Sequence, residues 1–433
     1  MLTASDLASR VGPLLPDGTA IRDLVDFEKR EISMRVNNDP ALHRLELSKL
    51  FARSWIPLGH ASEVPNVGDY VLRYHGEDSV ILTRAEDGSV NALLNVCAHR
   101  GMEVCWGDEG NQTIFKCPYH GWAYDNAGSL IGAPFQQEMY GDWDKSKYGL
   151  RKGRVVLRHG FVFVNFDLEA PSLDDWLGDM AWYYDRSFEG VEWEPVGGQA
   201  FRWKFHGNWK TISDQNAGDL YHIAGAHRSL AEIGFAPNLE SQIDCVKIEF
   251  PGLGHNAFGL NPMDGPSSEV ELATSMGSVQ VDSNDKYRFE GRNFILFLFP
   301  IVQTSAGKTA SSDGKEYRTA NLSTFMPTGP GTMEYRPQSF CEKGTPDDVR
   351  NMVRKTMPLI TTMLGDDADM VRSITKSAVG ALGQQETMKY NAFRGENKPA
   401  AWPGPGRVYA GFSRDETNWD FWQRWFEMLT EED

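Results

Sequence analysis

Two short stretches of this 433-residue sequence decide its fold and its chemistry: Cys97-Ala98-His99-Arg100-Gly101 and Cys117-Pro118-Tyr119-His120-Gly121-Trp122. They place two thiols and two imidazoles in the pattern C-x-H…C-x-x-H. This donor set suits a two-iron, two-sulfur cluster that has cysteine on one iron and histidine on the other, with a potential above that of an all-cysteine cluster. The sequence therefore predicts that Cys97, His99, Cys117 and His120 hold a centre that passes single electrons.

Structural zinc is the alternative for a site that mixes cysteine and histidine, but its usual spacing groups like ligands together. Here each half of the motif alternates the two residue types, and each half is followed by a glycine, Gly101 or Gly121. Glycine permits tight loops whose N–H groups can point at bridging sulfides. We therefore favour the iron–sulfur cluster over zinc.

Composition limits the partners of the chain. A net charge of −17 at pH 7 argues against nucleic acid or an anionic membrane surface. The longest apolar run, Phe294–Val302, is too short to cross a bilayer. The first eighteen residues lack the basic start and apolar stretch of a signal peptide. We expect a cytoplasmic protein with no membrane or nucleic-acid partner.

The length of the chain exceeds what one hydrophobic core usually serves, so we expect at least two domains. Residues 1–41 read as an N-terminal segment that packs with a catalytic domain. Residues 42–167 begin with a helical pattern, Leu42–Trp55, and continue as short β-rich runs that contain both cluster loops. Residues 168–433 mix helical and strand patterns and predict an α+β domain with an antiparallel sheet.

A second metal site is indicated by Asp219, His222 and His227. On a helix, Asp219 and His222 would lie about 60° apart and share a face. His227 could join the same metal only if the helix bends or ends, and Gly225 supplies that freedom. A carboxylate from the segment Asp366–Asp369 would complete the two-histidine, one-carboxylate set that binds Fe(II) and leaves positions open for O2. Taken alone, the same residues also fit ordinary surface or core positions.

The two loops resemble the cluster-binding loops of Rieske proteins, and those of Rieske-type oxygenases in particular. The respiratory form carries one extra cysteine in each loop, where this chain has Met102 and Tyr119. From Leu42 onward the chain is similar to the α subunit of a Rieske non-haem iron, aromatic-ring-hydroxylating oxygenase. That resemblance implies a multidomain α+β fold: an all-β Rieske [2Fe-2S] domain and a helix-grip (START/Bet v 1-like) catalytic domain with an antiparallel sheet.

The resemblance also implies roles for single residues. The segment that starts at Asn208 is similar to the family's iron-binding helix, which puts His222 and His227 on a mononuclear Fe(II). The carboxylate ligand in the family is the second residue of an Asp-Asp pair before a small residue, which matches Asp367. Its neighbours Asp366 and Asp369 are less favoured alternatives. Gln215 matches an amide position near the iron.

Asp219 has a further implied role, because subunits of the family pack head to tail in a trimer. Asp219 would bridge a cluster histidine (His99 or His120) of one subunit and His222 of the next, since metal-bound imidazoles keep an N–H that a carboxylate can accept. Members of this length often form α3β3 hexamers with a small β subunit, and an α3 trimer is the alternative.

The electron donor is expected to be a separate protein. Gly252–Ala257 fits a loose dinucleotide fingerprint, but it lacks the strand and helix that such a site requires. NADH would therefore act only through a partner reductase, directly or through a ferredoxin. The substrate pocket should be apolar for an arene. Its candidate lining residues are Gln215, Phe205, Phe258, Met263 and Phe294, with Phe297 and Phe299 as further strand positions.

Three functions remain in view. The leading one is a terminal oxygenase that uses O2 to convert an aromatic ring to a cis-dihydrodiol, as in aromatic hydrocarbon catabolism. The second is a Rieske monooxygenase or demethylase of an aromatic compound with the same metals. The third, an electron carrier or lipid-binding module with a spare iron–sulfur domain, is disfavoured because a carrier needs no His222/His227 pair.

Overall fold

The chain divides into two structural units. The computed structural model describes residues 4–197, 202–228, 232, 245–260, 293–390, 399–410 and 414–431. One unit comprises Met1–Leu50 and Asp174–Asp433, and the other comprises Phe51–Leu173. The divisions therefore lie at residues 51 and 174 instead of 42 and 168. The N-terminal helix belongs to the larger unit because its Glu46 bonds Lys210 and Trp425 there.

The N-terminal segment contributes two helices and two short strands to the larger unit. These elements are α1 (Ala4–Ser9), β1 (Val25–Asp26), β2 (Glu31–Ser33) and α2 (Pro40–Lys49). Asp39 caps α2 by accepting hydrogen bonds from the N–H groups of Ala41 and Leu42, and Pro40 fits the first helical position. The helical pattern of Leu42–Trp55 is thus only partly realised, because α2 ends at Lys49 and a 3₁₀ turn, Phe51–Arg53, follows.

The smaller unit consists mainly of strands, in agreement with the β-rich pattern. They are β3 (Ile56–His60), β4 (Asp69–His75), β5 (Asp78–Arg84), β6 (Val90–Leu94), β7 (Glu109–Asn111), β8 (Ile114–Lys116), β9 (Ala123–Asp125), β10 (Leu130–Gly132), β11 (Lys152–Arg158) and β12 (Phe161–Asn165), with a short helix α3 (Gln136–Tyr140). Seven strands form an antiparallel sheet in the order β3-β12-β11-β6-β5-β4-β7, and the others form the sheet β10-β9-β8. Cys97 follows β6 and Cys117 follows β8, so each cluster loop begins at the end of a strand.

The larger unit combines a long helix with an antiparallel sheet, as the resemblance implied. Its helices are α4 (Leu173–Leu177, which begins at the boundary), α5 (Met180–Phe188), α6 (Trp209–Asn216), α7 (Asp347–Ser377) and α8 (Glu416–Thr430). Its strands are β13 (Trp193–Pro195), β14 (Trp203–His206), β15 (Val246–Glu249), β16 (Asn256–Leu260), β17 (Asn293–Leu298), β18 (Val302–Ala310), β19 (Glu316–Gly329), β20 (Thr332–Glu342), β21 (Thr387–Lys389) and β22 (Arg407–Ala410). Within the described ranges the main sheet has the order β13-β20-β19-β18-β17-β16-β15-β22, with β14 also on β20.

Both faces of this sheet are covered. Directly opposed residues of antiparallel strands point to the same side, and successive residues alternate. Phe294 lies on the face that packs against α5, with its ring 5.3 Å from that of Tyr183. Phe297 lies on the other face, with its ring 6.0 Å from that of Phe421 of α8. We call the face of Phe297 the inner face, because the helix α6 also packs there.

A buried ion pair joins three helices of the larger unit. Glu46 of α2 accepts from Lys210 Nζ at 2.8 Å and from the indole N–H groups of Trp209 and Trp425, each at 2.9 Å. Neither charged side chain is more than 1 % exposed. Burial lowers the pKa of Lys210, while the charge of Glu46 opposes that shift. The helix α6 is therefore fixed to α2 and α8 at its first turn.

Replacing Glu46 with Leu is expected to lower the free energy of unfolding by about 3–5 kcal/mol, because it leaves a buried ammonium and two indole donors unpaired. The double variant E46L/K210M should be less destabilised than E46L alone, since it buries no charge. Urea unfolding followed by circular dichroism measures both effects. As a control, Lys343→Met breaks a solvent-exposed pair with Glu192 and should leave stability unchanged. Equal losses in E46L and the double variant would contradict this account.

A second buried group links the stability of the larger unit to pH. His255 Nδ1 accepts the N–H of Phe299 and its Nε2 donates to the carbonyl of Trp176, each at 2.9 Å, so the ring is neutral. Burial, helped by the charge of Arg424, lowers the pKa of His255 to about 4. The unfolded chain, with a histidine pKa near 6.5, therefore binds more protons between these values. The stability that the neutral ring contributes is complete above pH 6.5 and is lost as the pH falls towards 4.

We expect the free energy of unfolding of His255→Gln to fall less steeply with decreasing pH below 6.5 than that of the wild type. The difference in slope should be about 1 kcal/mol per pH unit, the value for one proton taken up on unfolding. Thermal unfolding at pH 7.0, 6.0 and 5.5 measures it. The exposed His206 of β14, changed to Gln, is the control and should keep the wild-type slope. An unchanged slope in His255→Gln would show that another group titrates.

No helix within the described ranges is long and apolar enough to cross a membrane.

Two candidate metal centres

The two cluster loops share one backbone conformation. In the first loop, Cys97 N–H donates to the carbonyl of Met102 at 2.8 Å, and Gly101 N–H donates to the carbonyl of Cys97 at 2.9 Å. In the second loop, Cys117 N–H donates to the carbonyl of Trp122 at 2.7 Å, and Gly121 N–H donates to the carbonyl of Cys117 at 3.0 Å. Gly101 and Gly121 both have φ of +74°, which side-chain-bearing residues rarely adopt. The glycines predicted to permit tight loops therefore do so.

The side chains of these loops converge in matching pairs. The thiols of Cys97 and Cys117 are buried and contact each other, and burial together with this contact raises the pKa of Cys117. The rings of His99 and His120 lie 4.6 Å apart, and His99 stacks on Trp122 at 4.8 Å. Burial and the charge of His120 lower the pKa of His99, which favours the neutral form that binds metals.

This arrangement fits the cluster that the motif predicts. Nδ1 of His99 is buried and has no hydrogen-bond partner in the described part of the chain, so its lone pair is available to a metal. The hydroxyl of Tyr124 lies 3.2 Å from Cys97 Sγ and accepts from the N–H of Ala98. Cys105, the other cysteine of this unit, contacts Tyr70 and the carbonyl of Gly107 instead. The donor set is therefore two thiols and two imidazoles.

The second centre is formed by His222, His227 and Asp367, whose ligand atoms all lie within 4.8 Å of one another. Asp367 Oδ1 is 3.0 Å from His227 Nε2 and 3.8 Å from His222 Nε2. His227 and Asp367 are buried, and His222 is partly exposed. Two neutral nitrogens and one carboxylate that converge in this way can hold an Fe(II) ion with positions left for other ligands.

Two further carboxylates lie behind the histidines. Asp366 Oδ2 is 3.4 Å from His227 Nδ1. The backbone carbonyl of Asp219 contacts Nδ1 of His222. The carboxylate oxygen Oδ2 of Asp219 lies 4.0 Å from the same nitrogen. Asp219 Oδ1 also accepts the N–H of His222 at 3.2 Å. Both carboxylates face the ring nitrogen that points away from the ligand set, which is where groups that orient metal-binding histidines are found.

The electrostatics of the site favour a cation. Burial disfavours protonation of His227, but the hydrogen bonds and charges of Asp367 and Asp366 outweigh it and raise its pKa. Gln215 Nε2 donates to Asp367 Oδ1 at 2.7 Å and lies 3.2 Å from His222 Nε2. Gln215 thus lies among the candidate ligands. Asp369 instead points to solvent and pairs with Arg372, so it lies outside this group.

The local conformation differs from the helix that the sequence predicted. The helix α6 ends at Asn216, so Asp219 lies in a turn and His222 in the 3₁₀ turn Tyr221–Ala224. The turn requires Gly218, which has φ of +123° and whose added Cβ would lie 2.5 Å from Thr417 Oγ1. Gly225 has negative φ, so the freedom attributed to it is supplied by Gly218. Glycine before Asp219 was the signal for this earlier end of the helix.

The predicted pocket residues separate into different environments. Phe258 packs with Leu220 and Ile223, which belong to the segment between Asp219 and His227. Phe205 instead packs in a cluster with Ile212 of α6 and Val371 of α7. Phe294 was wrongly placed, because it faces α5 on the opposite side of the sheet. Met263 lies outside the described residues.

Sequence reasoning missed other residues on the inner face. Ile295 opposes Phe258 and packs in the same cluster, and Cys245 is buried there as well. Gln303 of β18 donates to Asn216 Oδ1 at 3.1 Å. A run such as Phe294–Phe299 is apolar throughout because both faces of the sheet are covered, so it does not reveal which residues point inward.

Known proteins with similar sequences and structures define the class. Residues 54–150 match the model of the Rieske [2Fe-2S] domain. The chain is 30% identical to the N,N-dimethyl phenylurea N-demethylase subunit alpha of Sphingobium sp. (strain YBL2), over 96% of each chain. It is 39% identical to the biphenyl dioxygenase subunit alpha of Paraburkholderia xenovorans (strain LB400), over 54% of this chain and 52% of that one. The naphthalene 1,2-dioxygenase from Rhodococcus sp. bound to indole superposes with a TM-score of 0.80 and 30% identity, over 93% of this chain and 95% of that chain.

Fold, loops and relatives together define an oxidoreductase that contains a Rieske cluster and a mononuclear iron and that uses O2 as co-substrate. The chain belongs to the family of Rieske non-haem iron, aromatic-ring-hydroxylating oxygenase α subunits. The iron–sulfur interpretation is thereby confirmed over zinc, and the electron-carrier alternative is excluded.

Proposed function

We propose that the chain is the terminal oxygenase subunit of a multicomponent dioxygenase that converts an aromatic ring to a cis-dihydrodiol. The reaction takes one O2, two electrons and two protons, and both oxygen atoms enter the ring. The observation that carries the proposal is the convergence of His222, His227 and Asp367, in a chain that also has the paired cluster loops. When bound, the two iron centres supply stored electrons and O2 activation.

The residues of the chain have distinct roles in this proposal. Cys97, His99, Cys117 and His120 hold the cluster, and His222, His227 and Asp367 hold the mononuclear iron. Asp366 orients His227, and Gln215 holds the carboxylate of Asp367 by a 2.7 Å hydrogen bond. The backbone carbonyl of Asp219 orients His222, and the Asp219 side chain, 41 % exposed, is left to accept from a cluster histidine of a neighbouring subunit.

The proposal implies partners. Electrons come from NADH through a separate reductase, with or without a ferredoxin, because the Gly252–Ala257 segment offers no dinucleotide site. Gly252 and Gly254 direct their N–H groups to Asp420 of α8 instead. We propose a head-to-tail assembly, α3β3 with a small β subunit or α3 alone, in the cytoplasm.

N-demethylation of an aromatic urea or amine is the second candidate. It is favoured by the 30% identity, over nearly the whole chain, with a subunit named as a phenylurea N-demethylase. The same ligand set supports it, because one oxygen atom can enter an N-methyl group, which then leaves as formaldehyde while the second oxygen forms water.

Turnover under 18O2 separates the two candidates. The purified oxygenase, supplied with NADH and surrogate reductase and ferredoxin, would be tested on biphenyl, naphthalene and N,N-dimethyl phenylurea. A dihydrodiol that carries two labelled oxygens supports dihydroxylation. Formaldehyde together with unlabelled N-methyl phenylurea supports demethylation. Absence of any substrate-dependent oxygen uptake by protein loaded with both metals would contradict both proposals.

A further inference from the structure

We propose that Asn216 is a specificity-determining residue that donates a hydrogen bond to a substrate carbonyl. The preferred substrate is then an aromatic compound that carries an amide or urea group, instead of an unsubstituted arene. This inference rests on the proposed oxygenase function and names its substrate class. It replaces the expectation of a purely apolar pocket.

Asn216 is placed beside the candidate iron site by the helix that carries it. It is the last residue of α6 and follows Gln215, whose amide bonds Asp367. Successive helix residues point about 100° apart, so Gln215 faces the ligands while Asn216 faces the sheet. There its Oδ1 accepts from Gln303 Nε2 at 3.1 Å.

The other end of the Asn216 amide is a buried donor without a partner. Nδ2 is shielded from solvent and makes no hydrogen bond with any described residue. Because Oδ1 accepts from Gln303, Nδ2 is the end of the amide that is left for another partner. Buried amide donors are nearly always paired in folded proteins, and an unpaired one indicates a missing partner. A substrate carbonyl supplies such a partner without adding charge.

The surface next to this donor suits an aromatic ring. Gln303 and Ser305 lie two residues apart on β18 and therefore on the same inner face. Ser305 opposes Ile295, which in turn opposes Phe258. Phe258 and Ile295 pack with Leu220 and Ile223, from the segment that carries His222. One side of this inner face is thus apolar and packs against the segment that carries His222, and Asn216 and Gln303 provide its polar end.

The test uses two substrates of equal size that differ only in the polar group. One is N,N-dimethyl phenylurea, and the other is the alkylbenzene in which carbon replaces the urea nitrogens and oxygen. For wild type, Asn216→Leu and Gln303→Leu, kcat and KM are measured for both compounds. Equilibrium dialysis of each compound with oxidised, metal-loaded protein gives Kd independently of turnover.

We expect Asn216→Leu to lower the ratio of kcat/KM for the urea to kcat/KM for the alkylbenzene by about 10- to 100-fold, mainly through KM. The Kd of the urea should rise with it. Gln303→Leu should shift the ratio in the same direction but less, because it only releases the orientation of Asn216. Iron content and circular dichroism identify a variant that fails to fold, and Gln303→Leu then decides the outcome.

Three outcomes would overturn the inference: an unchanged ratio, an equal loss on both substrates, or a wild type that binds the two compounds equally. An unchanged ratio would mean that a buried water satisfies Nδ2. Failure of the proposed function looks different, because the wild type would then oxidise neither compound while holding both metals.

Discussion

Replacing Asp219 with Asn is expected to leave the cluster and the mononuclear iron in place and to lower turnover about 100-fold or more. The amide has the same shape as the carboxylate and leaves the backbone carbonyl of Asp219 on Nδ1 of His222, but it lacks the charge that would accept an N–H from a cluster histidine of a neighbouring subunit. Iron and sulfide content, reduction of the cluster by the reductase and product formation measure the three parts of this prediction.

Asp366→Asn is the matched control for Asp219→Asn. Asp366 lies against Nδ1 of His227, as Asp219 lies against that of His222, but the resemblance to the family gives it no role between subunits. We expect it to weaken iron binding about 10-fold, with turnover restored by added Fe(II). If Asp219→Asn were also restored by iron, or worked at the wild-type rate, the bridging role would be wrong.

The second large effect is expected for Asp367→Ala. Removing the carboxylate leaves two neutral nitrogens, which hold a divalent ion poorly, so the mononuclear iron should be lost and turnover should fall at least about 1,000-fold, equivalent to about 4 kcal/mol. The absorption spectrum of the cluster should be unchanged, because its four ligands lie on other loops. Metal analysis and oxygen uptake measure this result.

Asp369→Ala distinguishes Asp367 from its neighbours. Asp369 is exposed and paired with Arg372, so its removal should preserve both iron and turnover. An iron-loaded, active Asp367→Ala, or an Asp369→Ala without iron, would show that the ligand is misassigned.

The cluster loops could be predicted from the sequence because all four ligands lie within one short segment, where spacing alone restricts the geometry. The second site was harder. His222 and His227 were found through their local pattern, but Asp367 lies on another helix, and only the resemblance to a known family connected it. The helix expected to extend through His222 ends at Asn216, because the turn that follows needs the positive φ of Gly218, where Thr417 leaves no room for a side chain.

The sequence could not predict which residues of the sheet point inward or which elements α2 packs against. In the run Phe294–Phe299, burial on both faces removes the alternation that would tell Ile295 from Phe294. The helical pattern of Leu42–Trp55 indicated that one face of the helix is buried, but it did not indicate which domain that face packs against. Its Glu46 assigns α2 to the larger unit, and a glutamate in a helix is ordinarily taken as exposed.

The central claim is that electrons held by the cluster of one subunit serve the iron of its neighbour. The most direct test combines two inactive chains, Cys97→Ser without a cluster and His222→Ala without mononuclear iron, co-expressed with different affinity tags and purified through both. In a head-to-tail trimer every mixed assembly has one productive junction of three, so the doubly purified trimers should form product at about a third of the wild-type rate. Mixed assemblies no more active than either parent would contradict the claim.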